Sequence, residues 1–196
     1  VSIPIYHTLA LNGAVSWGQY TYDSNPYYLQ TQDNSGDIVS DGYVYWKDFR
    51  VESTPQTAVN VGLSWRSNNN IYLSADFNYY NNMYLSMSPI YRTDAVITGG
   101  MAPGDIEHLR RQEKFDSAYT LNASIGKNWY IHRKYTLGFS LDVKNILNNQ
   151  DIKTGGYEQT RLSKNTETTV TTYQAFDSKY FYMFGTTYYL NVYFRF

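Results

Sequence analysis

The sequence predicts an all-β fold: a portion of an antiparallel transmembrane β-barrel, with about six long strands and three long external loops. Three observations lead there. Apolar and polar residues alternate with period two over stretches of roughly ten residues, the length of a tilted strand crossing a bilayer. The chain is polar on average, with a mean hydropathy of −0.51, yet it is 18% aromatic, with 22 Tyr, 9 Phe and 4 Trp. A barrel wall reconciles these two facts, because only alternate strand residues meet lipid while Tyr and Trp gather at the two interfaces. Finally, long and short connections alternate, as do the outer loops and inner turns of such barrels.

The elements follow in order. Thr8–Tyr20 sets Leu9, Leu11, Val15 and Trp17 against Asn12, Ala14 and Ser16. Thr57–Arg66 sets Val59, Val61, Leu63 and Trp65 against Asn60, Gly62 and Ser64. Ile71–Tyr80 sets Leu73, Ala75, Phe77 and Tyr79 against Ser74, Asp76 and Asn78. Ala118–Gly126, the stretch from Thr136 and Thr186–Phe196 repeat the pattern. A soluble sandwich strand carries Lys, Glu and Thr on its solvent face. Here the polar faces are mostly Gly, Ser, Asn, Thr, Ala and Tyr, which suits a lined or filled lumen.

The loops are expected at Thr21–Gln56, Asn81–Ser117 and Asn148–Gly185, the short turns at Ser67–Asn70 and Lys127–Tyr135. The final strand then descends to the inner side. "RSNNN" at Arg66–Asn70 is turn chemistry, since Asn tolerates left-handed backbone. Gly42–Glu52 alternates weakly and reads as a hairpin arm or a strand extension above the membrane. Gly155 and Gly156 read as a turn. Six strands are too few to close a barrel, and an open sheet in lipid leaves backbone groups unpaired. Neighbouring strands are therefore expected from outside this stretch.

Several function classes find no support. The net charge of −1 gives no basic field for nucleic acid, and no Cys is present for a disulfide or thiolate site. His7, His108 and His132 lack ligand spacing, and no nucleophile elbow or phosphate loop occurs, so neither catalysis, a metal nor a cofactor is expected. The ligand-facing candidates lie in loops. Tyr43, Tyr45 and Trp46 can stack on a ligand or merely pack loop on loop. Arg110 and Arg111, in the charged stretch Gly104–Asp116, can grip an anion or simply be solvated. Asp76, Asp142, Lys144 and Arg195 alternate toward the lumen, while Phe194 and Phe196 face lipid near the inner interface.

Three stretches resemble one family. "VKNILNNQDIKTGGYEQTR" (Val143–Arg161) resembles the penultimate strand and following loop of TonB-dependent receptors, where an N-[IL]-L-N element runs, in Bacteroidota members, into G-G-[YF]-E-Q-x-R. "STPQTAVNVGLSWRS" (Ser53–Ser67) resembles their P-x-T-A element opening a descending strand. "YFYMFGTTYYLNVYFRF" (Tyr180–Phe196) resembles their last strand, ending in the aromatic read by the barrel-assembly machinery. The chain lacks the N-F-P-x-x-R ending of SusC-type glycan importers.

The resemblance implies that residues 1–196 form a single C-terminal segment of a barrel of roughly 22 strands. It implies the cell outer membrane as location and energy-coupled uptake of an iron chelate, glycan or peptide. It also implies partners: outer-membrane lipid, the TonB complex acting on a plug carried elsewhere, and in some members a surface lipoprotein lid. Phe194 and Phe196 would be the assembly signal. The alternatives are an autonomous small barrel acting as an adhesin, with two further strands within Asp23–Glu52 and Asn165–Tyr182, and a soluble carbohydrate-binding β-domain.

Overall fold

The computed structural model describes residues 1–6, 8–132, 134–164 and 171–196. The fold is all-β and antiparallel. Its wall is a seven-stranded sheet in the order β1-β2-β5-β6-β7-β8-β11, made of β1 (Ser2–Tyr6), β2 (Leu9–Trp17), β5 (Thr57–Arg66), β6 (Ile71–Asn81), β7 (Ala118–Ile131), β8 (Tyr135–Lys144) and β11 (Thr187–Arg195). Two separate hairpins stand in the long loops. One is β3 (Tyr27–Thr31) with β4 (Ile38–Tyr43), the other β9 (Lys153–Lys164) with β10 (Thr171–Tyr182). Two short helices, α1 (Asp94–Ile97) and α2 (Pro103–Leu109), occupy the middle loop.

The wall has one strand more than the six expected. β1 escaped notice because Pro4 breaks its pattern. Pro lacks the N–H a central strand must donate, but an edge strand tolerates it. β1 is that edge, and its pairing with β2 is irregular between Pro4 and Tyr6. β7 runs on to Ile131 and β8 starts at Tyr135, so their connection is only residues 132–134. His132 there, like Asn70 in the Ser67–Asn70 turn, has left-handed backbone, at φ 52° and 57°.

Register keeps the two faces apart over the whole wall. Leu9 opposes Trp65, Trp65 opposes Leu73, and the row continues through Ile125 and Leu141 to Leu190. One residue along, the row reads Ala10, Ser64, Ser74, Ser124, Asp142 and Tyr189. A slip of one residue in any pair would put a strand's whole apolar set on the wrong face.

In the middle of the wall, exposure is inverted relative to a water-soluble sheet. On β6, Leu73 and Phe77 are 40% and 41% exposed, while Ser74, Asp76 and Asn78 between them are half-buried. The polar face binds itself together. Asn12 donates to Ser64, Asn60 to Asn78, and Ser74 and Ser124 share a hydrogen bond of 2.7 Å. Tyr193 donates to Asn128, its ring lying where a Cβ on Gly138 would stand. Glycine at 138 thus makes room for a tyrosine from the next strand.

The buried core lies at the long-loop end rather than within the wall. Met83, Leu85 and Phe115 form a cluster, with Tyr80 and Tyr180 against it, and Val44, Met87, Met101, Leu109 and Ile152 are buried too. Gly155 and Gly156 lie inside β9, not in a turn, which corrects the sequence reading. Gly156 has φ 151°, and a Cβ there would meet the Lys179 carbonyl and the Tyr180 backbone. The glycine serves close strand approach. The arm expected at Gly42–Glu52 is instead Ile38–Tyr43, followed by irregular chain.

Candidate functional site

The three long loops interlock into one cap, and Arg92 is its hub. This side chain is 2% exposed although it comes from a loop. Its Nε donates to the Leu109 carbonyl at 2.9 Å, Nη1 to the Ser88 carbonyl at 2.9 Å and to Glu158, and Nη2 to Glu158 Oε2 at 2.7 Å. The forked, bidentate geometry is what arginine offers a carboxylate and lysine does not. Ser88 N–H donates to the same carboxylate at 2.6 Å. The middle loop is thereby tied to the β9–β10 hairpin across the cap.

The first loop joins through backbone. Tyr45 N–H donates to the Arg92 carbonyl at 2.8 Å, and the Phe49 ring lies 5.8 Å from the guanidinium carbon. Gln112 accepts from Arg50 N–H at 2.8 Å and donates back to its carbonyl at 2.7 Å. Lower down, Glu113 accepts from Tyr180 at 2.6 Å and Ser178 at 3.0 Å, with Lys153 at 3.9 Å. That hydrogen bond to a carboxylate, then burial, pushes the Tyr180 phenol up from its ordinary value.

A cleft of about 280 Å³ opens between the end of α2 and the hairpin. Leu85 and Met87 line it, with the Arg92–Glu158 pair, Gln112, Thr160 and Ser178; His108 and Tyr173 also border it, ring centres 5.3 Å apart. Burial pushes the Tyr173 phenol up; a hydrogen bond with Thr160 opposes this and the Glu158 charge adds to it. A second, more apolar groove of about 480 Å³ lies between the β3–β4 hairpin and α1, lined by Leu29, Val44, Ile90 and Val96.

The expected site residues do not converge. Tyr43 and Tyr45 are exposed on the first loop, Tyr43 edge-on to Tyr27 at 5.3 Å. Trp46 is half-buried against Tyr22, and its N–H donates to Asn25, so it packs its own loop. Arg111 borders the cleft but is 73% exposed and paired with Glu107; Arg110 is exposed outside it. His7 lies outside the described residues. Asp76, Asp142, Lys144 and Arg195 share the polar face by register, spread from the loop end at Lys144 to the turn end at Arg195. Phe194 and Phe196 share the apolar face with Tyr135, which stacks on Phe194 at 5.7 Å.

Arg92, Glu158 and Tyr173 were missed. "YEQTR" carries the strand alternation that sets Glu158 and Thr160 on one side, but nothing local marks Arg92. Its partner lies 66 residues away. Among the described residues no group of acidic, His or Cys side chains could hold a metal, and no helix is long and apolar enough to cross a membrane. In comparison with known proteins, no family model, no curated protein and no solved structure matches the chain.

Proposed function

We propose that this chain is a sector of an outer-membrane β-barrel wall with an external cap, and that the barrel is a TonB-dependent uptake receptor. One observation carries the membrane reading: in the middle strands of the wall the apolar side chains Val61, Leu63, Leu73, Phe77 and Ile125 are the exposed ones, while Ser74, Asp76, Asn78 and Ser124 on the other face are shielded. An apolar face spanning seven strands exceeds the few hundred Å² that soluble monomers leave in water. In lipid it is the stable arrangement. Among the described strand residues Lys127 is the cation on that face, and its Nζ lies 5.2 Å from the Trp129 ring near the short turns, where a long stem reaches the interface.

β1 and β11 each pair on one side only among the described residues. Unpaired strand edges do not persist in hydrocarbon, so further strands close the wall. The small autonomous barrel is less favoured, because β3–β4 and β9–β10 pair with each other instead of joining the sheet. Within the proposal, lipid covers the apolar face, the cap faces the medium and receives the ligand, and the TonB complex works through a plug on the polar side. No covalent chemistry is assigned to the chain. The receptor reading rests on the three family-like stretches.

The reading is tested by uptake. Cells carrying Arg92→Ala are expected to keep the protein in the outer membrane yet to lose energy-dependent accumulation of its nutrient. Accumulation that is indifferent to the cap, or to collapse of the proton gradient, would remove the uptake reading.

A further inference from the structure

We infer that the cleft between α2 and the β9–β10 hairpin takes one unit of an uncharged polyhydroxylated ligand, a sugar ring. The inference rests on the uptake reading above and names its substrate class.

Charge decides first. Arg92 is paired with Glu158, Arg111 with Glu107 at the rim, and Glu113 with Lys153 and two hydroxyls. Of these only the Arg92–Glu158 pair is nearly buried, and a charged ligand that separated it would leave a buried charge behind; the Arg111–Glu107 pair at the rim is exposed and holds little. A neutral ligand leaves them whole.

Hydrogen-bonding capacity decides next. A guanidinium has five N–H groups. Four of those on Arg92 are used, and the fifth has no partner among the described residues. This almost fully buried donor borders the cleft together with the acceptor oxygens of Glu158, Thr160 and Ser178. Sugar hydroxyls donate and accept at once and suit such a mixed lining. The rings of His108 and Tyr173 give an apolar wall for a ring's C–H face. The volume of about 280 Å³ is just below the small end of ligand pockets, the scale of one ring within a longer ligand.

The test is calorimetric titration of the membrane-extracted protein in detergent with maltose and cellobiose, beside ferric citrate and trialanine. At least one disaccharide is expected to saturate, and Tyr173→Ala to weaken it by about tenfold or more. His108→Ala, on an exposed helical position, is expected to weaken it by a factor of a few without disturbing the fold. Disaccharide binding unchanged in both variants would overturn the inference. So would binding of ferric citrate or trialanine alone, lost in the same variants, although the uptake reading would then stand. If none of the probes binds a protein that is correctly inserted in the membrane, the sugar inference falls, and the uptake reading is decided separately by the accumulation assay.

Discussion

Asn145 shows how much one side chain does here. It is 3% exposed, with left-handed backbone at φ 50°, where the wall ends and the third loop begins. Its amide donates to the carbonyls of Asn149 and Phe184 at 2.9 and 3.0 Å and accepts from Asn149 N–H, while its carbonyl accepts from Thr186. The "KNILNN" stretch is therefore a knot holding the end of β8 to the start of β11. Asn145→Ala is expected to cost about 2–4 kcal/mol, combining left-handed strain with two abandoned carbonyls. Asn145→Gly, which relieves the strain, is expected to cost less. Urea unfolding in micelles measures both; equal losses would assign the whole effect to the hydrogen bonds.

Tyr180 supplies a pH dependence at the same scale. Its phenol donates to Glu113, and its pKa stands above the ordinary 10.0. A group raised on folding contributes stability that is complete below its unfolded value and is lost as pH rises through the folded one. The contact therefore holds through neutral pH and fails above about pH 10. Absorbance titration of the wild type minus Tyr180→Phe should show a phenol ionising later than free tyrosine. A difference curve centred at or below the ordinary value would show that the contact is not formed.

Among the elements, the cap and the wall separate in kind. The wall is held by ladder hydrogen bonds and environment, the cap by long-range side-chain contacts centred on Arg92. Arg92→Ala strands a nearly buried Glu158 and is expected to loosen the cap by about 3–5 kcal/mol. Replacing both partners with apolar residues should recover part of that. Hydrogen exchange is expected to rise in residues 82–117 and in β9, with β5 to β8 unchanged; a uniform rise would mean that cap and wall unfold together. Within the wall, Leu141→Arg places a cation in the apolar row and is expected to cost about 2–4 kcal/mol of insertion, whereas Ser140→Arg points to the polar face and is tolerated. Heat-modifiability gels compare the two, and equal behaviour would contradict the assignment of faces.

For the whole molecule, the wall was legible in the sequence and the cap was not. Alternation is a local signal, so β5, β6 and β8 lie close to where their apolar residues place them. β1 was hidden by Pro4, and β7 was cut short because Lys127 interrupts its apolar face. Composition marks Gly104–Asp116 as a charged stretch, part of which is α2, but nothing in composition marks Arg92. Its importance comes from a carboxylate far along the chain, and no spacing rule links them. The residues chosen from aromatic and charged runs sit on the loop surface or pack their own loop, because such runs mark exposure more readily than convergence.

The central claim is that the apolar face of the wall meets lipid. The chain has no Cys, so a single cysteine introduced at each position from Leu137 to Lys144 carries a spin label uniquely. In reconstituted vesicles, labels at 137, 139, 141 and 143 are expected to collide with oxygen dissolved in the bilayer. Labels at 138, 140, 142 and 144 are expected to be shielded from it. That period-two profile is the predicted result. Uniform access of a water-soluble quencher to both sets would place the sheet in water and contradict the account.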